Sequence, residues 1–229
     1  MKILYGVVGE GMGHATRSGV ILDHLVRAGH EVRIVVSGRA AKYLEARHPG
    51  TVTEITGLTM HYEDNEVHRF KTAIQNLKAV LDLPSNLRAY LEMAREFTPD
   101  VVISDFESWS YVFARGQRIP VISVDNMQII ARCFHEANVL GDDLTSFLLA
   151  KGIVKAKLSK CNAYLITSFF FPKVKKPRTT LHPPILRPVV AEARRLTTTG
   201  EHVVVYQTGT SNPALIETLK AESKVPFRI

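Results

Sequence analysis

The sequence predicts an α/β fold with a doubly wound parallel sheet. Three observations carry this. Short, near-continuous apolar runs recur along the chain, as strands buried on both faces require. Segments with helical periodicity separate them. Polar or glycine-rich turns follow several runs at what would be one common edge, at 9–14, 105–107 and 207–211, and ligands bind at that edge in such sheets.

In chain order, "KILYGVV" (2–8) is the first strand. Apolar residues at 20, 21, 22, 25 and 26 give the following segment a helical face, closed by Gly29. "EVRIVVS" (31–37) is the second strand, "RAAKYLEAR" (39–47) a short helix stopped by Pro49 and Gly50, and "VTEITGL" (52–58) a weaker third strand. Residues 71–97 carry a long helical pattern that Pro84 should kink or split. "DVVISD" (100–105) is a strand, "ESWSYVFARG" a helix with Trp109 in the core, "PVISVDN" (120–126) a strand, 137–159 helical and "AYLITSF" (163–169) a strand. Five prolines (172, 177, 183, 184 and 188) then mark a connector rather than a core element. "HVVVYQTG" (202–209) restarts the pattern, followed by a turn and a helix from Pro213 to Glu222.

The 229 residues are 45% apolar and 22% charged, which fits an ordinary packed core. Cys133 and Cys161 have neither disulfide-framework nor metal-ligand spacing, so a reducing, cytoplasmic setting is expected. Glu10 ends the first apolar run too early for a signal peptide, and no run approaches the ~18 apolar residues of a spanning helix. The formal charge is +7, of which the segment 171–195 carries +6 through seven Lys and Arg against Glu192. A charge confined to one connector, without a nucleic-acid-binding motif, argues against a nucleic-acid partner.

The loop "GEGMGH" (9–14) invites a dinucleotide reading, which needs G-x-G-x-x-G and an acid ending the second strand. Gly9 and Gly11 fit, but His14 stands at the third position and Ser37 ends the second strand, so both halves of the fingerprint fail. The glycines still permit positive φ and close approach of a ligand to the backbone. A helix N-terminus disfavours imidazolium, which suits His14 to act as a general base; the alternative is that His14 merely caps the helix. Asp105 ends an apolar strand at the same sheet edge and is suited to orient that imidazole, or else to cap the helix beginning at 107.

With these segments in place, "GEGMGHATR" (9–17), "DVVISDFES" (100–108), "IPVISVDN" (119–126), "PPILRP" (183–188) and "VVVYQTGTSNP" (203–213) together resemble the amino-terminal part of a GT-B glycosyltransferase of the MurG-like or UDP-glycosyltransferase type. The resemblance implies a Rossmann-like acceptor-side domain over 1–170, a basic connector over 171–200 and the first βα unit of a donor-side domain over 201–229. It implies His14 as the base that deprotonates an acceptor hydroxyl and Asp105 as its partner. Gly11, Gly13, Arg17, Glu107 and Asn126 would bind substrate, and Thr208, Gly209, Thr210 and Ser211 the donor diphosphate. The last turn also reads as a capped helix, with Ser211 or Asn212 before Pro213. The implied reaction is inverting and metal-independent, with no cofactor beyond a UDP-linked nucleotide-sugar co-substrate and an acceptor that the sequence leaves open.

The later donor motifs of such enzymes have no counterpart here. The chain is therefore expected to be a fragment of a longer transferase, or a non-catalytic acceptor-binding subunit of a split enzyme whose exposed edge a partner chain or self-association would cover. "SFFFPKVKKPR" (168–178) reads as a solvated connector or as a peripheral contact with the inner face of a membrane. His61, Asp64, Glu66 and His68 share a polar loop without convincing metal spacing, and His135 and Glu136 would line the acceptor cleft.

Overall fold

The computed structural model describes residues 1–9, 11–57, 62–63, 66–67, 83–136, 144–205, 213–221 and 226–228. The elements are β1 (Lys2–Val7), α1 (Met12–Arg27), β2 (Glu31–Ser37), α2 (Ala40–Arg47), β3 (Val52–Ile55), β4 (Tyr62–Glu63), β5 (Glu66–Val67), α3 (Leu83–Glu96), β6 (Val101–Asp105), α4 (Ser108–Gln117), β7 (Val121–Asp125), α5 (Ile129–Arg132), α6 (Leu144–Lys157), β8 (Ala163–Thr167), β9 (Thr179–His182), α7 (Pro188–Ala193), β10 (Val203–Val204), α8 (Pro213–Ala221) and β11 (Phe227–Arg228).

Seven strands form one sheet in the order β3-β2-β1-β6-β7-β8-β9, every pairing parallel. The order reverses between β1 and β6. At that switch point the connections leave in opposite directions and open a crevice beyond the carboxyl ends of the strands. Val7 of β1 lies in register with Asp105 of β6, so the two turns singled out in the sequence flank this crevice.

Period-two alternation along β1 supplies both halves of the core. Ile3, Tyr5 and Val7 pack on one face with Leu22 of α1 and Leu44 of α2. Leu4 and Val8 pack on the other with Met93, Phe97, Phe106 and Phe113. Full burial of one such aliphatic side chain stabilises the fold by roughly 1.5–3 kcal/mol. Gly6 interrupts the large residues for a steric reason: a Cβ there would lie 2.1 Å from Ser110 Oγ, so its absence lets α4 sit close on β1. Helix α1 ends in a Schellman motif, with the His30 amide donating to the Leu25 carbonyl, the Gly29 amide to Val26, and Gly29 at φ +80°. Pro84 occupies the first turn of α3, where no intrahelical N–H is required; residues 71–82 of the expected long helix lie outside the described residues.

The largest correction concerns the expected connector. Thr179–His182 pairs along its whole length with Tyr164–Thr167 and forms the seventh strand of the sheet, so the sheet extends beyond residue 170. Just before it, the Phe134 amide donates to the Lys173 carbonyl and the Lys175 amide to the Arg132 carbonyl. A four-residue edge strand needs hydrogen bonds on one side only and is only half-buried, so it carries no apolar run for the sequence to display. Beyond it, residues 188–201 are exposed. Residues 203–204 and 227–228 form a separate parallel pair, Val203 with Phe227 and Val204 with Arg228, across α8.

Candidate active site at the carboxyl edge of the sheet

Helix α1 begins after Gly11, whose extended backbone (φ −143°, ψ 146°) makes no side-chain cap and whose carbonyl accepts the His14 amide at 3.2 Å. Positions i, i+3 and i+4 share a helical face, so His14, Arg17 and Ser18 all point toward the end of β6. They converge on Asp105, which is fully buried. His14 Nδ1 lies 2.8 Å from Asp105 Oδ1. Ser18 Oγ donates to Oδ2 at 2.8 Å. Arg17 donates through Nε to Oδ2 at 3.2 Å and through Nη2 to Oδ1, and its Nη1 reaches Thr167 Oγ1 at 3.4 Å.

This geometry assigns the tautomer. An ionised carboxylate only accepts, so His14 Nδ1 carries the proton and donates it to Asp105. Arg17 Nη2 also lies 3.0 Å from Nδ1, but a guanidinium only donates, so this is the approach of two donors to one carboxylate oxygen. In the uncharged ring the other nitrogen, Nε2, keeps its lone pair, on a side chain that is 21% exposed. Burial alone would lower the pKa of Arg17; the adjoining Asp105 charge and hydrogen bonds outweigh that and hold it above its ordinary value. Burial, then the Asp105 charge, push Tyr5 up in turn.

The turn after Asp105 explains how a buried carboxylate is aimed. Phe106 adopts φ 56°, a left-handed conformation that costs a bulky residue about 1–2 kcal/mol. It reverses the chain between Asp105 and the start of α4. Glu107 is then the helix cap: its carboxylate accepts the Trp109 amide at 2.7 Å and the Ser110 amide at 2.6 Å. Glu107 is buried, burial raises its pKa, and Oε2 faces the Cβ position of Gly6. Glu107 therefore lies inside the fold, which corrects the expectation that it binds substrate. The same finding removes the alternative that Asp105 caps this helix. Trp109 is partly buried, stacked on Phe113 at 5.5 Å, and donates Nε1 to the Asn86 carbonyl at 3.1 Å.

The glycines of the loop divide by role. A Cβ on Gly9 would fall 1.5 Å from the Ser37 carbonyl oxygen, whereas Gly11 and Gly13 face open space. Neither Gly9, Gly11 nor Gly13 has positive φ, so the expected left-handed backbone is absent and spatial clearance is what they provide. Ser37 accepts the Gly9 amide at 3.1 Å; it fixes the loop at the place where a dinucleotide site would need an acid.

A cleft of ≈ 510 Å³ opens over this edge, lined by Gly13, Arg17, Asn126, Thr167, Ser168 and Phe169 among others. The structure thus brings Gly13, Arg17 and Asn126 to one cavity, with His14 and Asp105 beside it. His135 does not join them: its Nε2 lies 3.1 and 3.2 Å from the carbonyls of Ile129 and Ile130, closing α5, and Glu136 is exposed. Thr208, Gly209, Thr210 and Ser211 lie outside the described residues, as do His61, Asp64 and His68. Among the described residues, no group of three or more His, Cys, Asp and Glu is placed to hold a metal, and no helix is long and apolar enough to cross a membrane.

Sequence reasoning missed Ser18, Thr167 and Asp125. The i+4 spacing from His14 was the available signal for Ser18. Asp125 ends β7 in the buried layer beneath the cleft. Its Oδ2 accepts from Ser123 Oγ at 2.6 Å and Oδ1 from the Gln128 amide at 2.8 Å, and burial pushes its carboxyl up to about 6.

Known proteins resemble this chain in both sequence and fold. An uncharacterized glycosyltransferase of Methanosarcina acetivorans is 28% identical over 151 residues, covering 61% of this chain and 36% of that protein. Another, of Methanosarcina mazei, is 26% identical over 188 residues, covering 75% and 44%. The chain thus spans less than half the length of these curated relatives. Among solved structures, Arabidopsis thaliana UGT89C1 complexed with UDP superimposes with a TM-score of 0.61 at 15% identity, over 100% of this chain and 66% of that one. MurG of Acinetobacter baumannii does so with 0.55 at 13%, over 98% and 58%. These likenesses show the fold, the Rossmann-like doubly wound sheet of GT-B proteins. The family model described as Glycosyl transferase family 1 matches residues 1–229 from end to end, and the chain belongs to that family.

Proposed function

We propose that this chain supplies the acceptor side and the general base of a glycosyltransferase that moves a sugar from a nucleotide diphosphate to an acceptor hydroxyl. The observation that carries the reading is the His14–Asp105 contact at the switch point of the sheet, with Nε2 as the basic nitrogen. An acceptor O–H donating to Nε2 loses its proton to the ring as its oxygen attacks the anomeric carbon. The new C–O bond forms opposite the breaking bond to the diphosphate, so the configuration inverts and the nucleotide diphosphate leaves with the bonding pair. Asp105 stabilises the imidazolium so formed, and Arg17 and Ser18 fix Asp105. The step itself requires no metal. UDP is the nucleotide proposed, because it is bound in the similar UGT89C1 structure. The donor diphosphate is assigned to Thr208, Gly209, Thr210 and Ser211, which precede α8 in the sequence. Phe169 and Phe170 line the cleft, which favours an acceptor with an apolar portion.

General-base catalysis contributes roughly 10²–10⁴ in rate. In the active transferase, His14→Ala is expected to lower transfer by that factor with donor affinity retained. Unchanged turnover would refute the assignment, and a product of retained anomeric configuration by NMR would refute the inverting step.

A further inference from the structure

A second cleft lies at the opposite, amino edge of the sheet. It measures ≈ 460 Å³ and sits between the end of α4 and the starts of β8 and β9. Arg115, Arg132, Lys160 and Arg178 line it, and among the described residues no acidic one does. Arg132 forms its floor and is 8% exposed. Its guanidinium lies 3.4 Å from the centre of the Tyr164 ring. Nε donates to Thr179 Oγ1 at 2.7 Å and Nη2 to the Pro177 carbonyl at 2.6 Å, so these acceptors are neutral.

The contrast with Arg17 is instructive. Arg132 is buried and Arg17 largely so, but Arg17 is held against a carboxylate, whereas no ion pair to Arg132 occurs among the described residues. A buried charge without a counter-charge is costly. The surroundings increase the cost, because Lys151, Lys155, Lys175 and Arg132 all bear on Lys176 and lower its pKa beyond the effect of burial. Complementing helix ends explains only part of this. Arg115 lies in the last turn of α4, where a cation suits the carbonyl end, but Lys160 and Arg178 lie on no helix.

We propose that this amino-edge cleft is an anion site that takes a phosphate group, seated over Arg132 between Arg115, Lys160 and Arg178. Three guanidiniums and an ammonium suit a tetrahedral, multiply charged oxyanion. The phosphate belongs either to a free phosphorylated molecule or to an anionic lipid headgroup. The site does not depend on the transferase reading, since it shares no residue with the carboxyl-edge cleft.

The test is titration of the isotopically labelled chain with inorganic pyrophosphate at 0.15 M salt, read by amide chemical shifts. Saturable shifts at residues 159–162 and 178 are expected, with affinity weakened about tenfold or more in the Arg115→Ala/Lys160→Ala double variant. Both substituted side chains lie at the surface, so the fold should survive where an Arg132 variant could lose it. A parallel arm uses phosphatidylglycerol and phosphatidylcholine vesicles. Flotation with phosphatidylglycerol alone, lost in the double variant, makes the source a headgroup; pyrophosphate binding without flotation makes it a free phosphate. Shifts confined to 11–17 or 207–212, equal affinity in the double variant, or no saturable binding of either probe would overturn the proposal.

Discussion

At the residue scale, the site is a competition for one carboxylate. Asp105 holds His14, Arg17 and Ser18 at once, so its loss has two consequences that separate. Asp105→Asn leaves the largely buried Arg17 without its counter-charge, and breaking such a pair costs about 3–5 kcal/mol. Chemical denaturation should therefore show Asp105→Asn far less stable than His14→Ala, although both lower transfer. Equal stabilities would mean that Arg17 does not depend on Asp105. Asp125 permits a pH test. Its carboxyl titrates at about 6 in the fold against an ordinary 3.8, so between those values the folded chain keeps a proton that the unfolded chain releases. Its contribution is present at the acid end, declines as pH rises through that window and is flat above it. Asp125→Asn keeps an acceptor for the Gln128 amide and removes the charge. It should be more stable than the parent by roughly 2 kcal/mol at pH 7 and indistinguishable near pH 4, as urea melts at the two pH values would show. His14 and Asp105 were legible because one stands in the turn after a predicted strand and the other ends one. Ser18 offered only its i+4 spacing from His14, and Asp125 acquires its burial and partners from tertiary packing.

At the scale of elements, the loop glycines make the sequence pattern physical. Gly6 and Gly9 are excluded from carrying a Cβ by Ser110 of α4 and by the backbone of Ser37. Gly13 is not. Gly6→Ala should destabilise by about 1–3 kcal/mol through overpacking of β1 against α4. Gly13→Ala should leave the melting temperature unchanged or slightly raised, as alanine in a helix allows. If Gly13 clears the way for substrate, transfer falls in Gly13→Ala while stability does not; a parallel loss of both would make Gly13 a packing residue. The long apolar strands and the Gly29 helix end were readable from periodicity and turn chemistry. Strand β9 was not, because prolines and lysines surround a four-residue edge strand that buries little.

At the scale of the whole molecule, the order of the strands produces the site. Ninety-one residues separate His14 from Asp105, and only the adjacency of β1 and β6 brings them to 2.8 Å. The sequence established parallel βα units and a common carboxyl edge; it did not establish which strands are neighbours, since that depends on pairing across the chain. The same topology places the cations of 173–178 near Arg132 on the far edge, where a reading of the segment as a solvated connector showed no site. The proposed role of His14 depends most directly on which ring nitrogen carries its proton. Its ring tautomer can be read in this chain from ¹⁵N–¹H correlations of the imidazole at neutral pH, without donor or acceptor. The uncharged ring is expected to carry its proton at Nδ1, reverting to mixed tautomers in Asp105→Asn. A ring protonated at Nε2 would contradict it, because the nitrogen facing the acceptor would then be unable to take a proton.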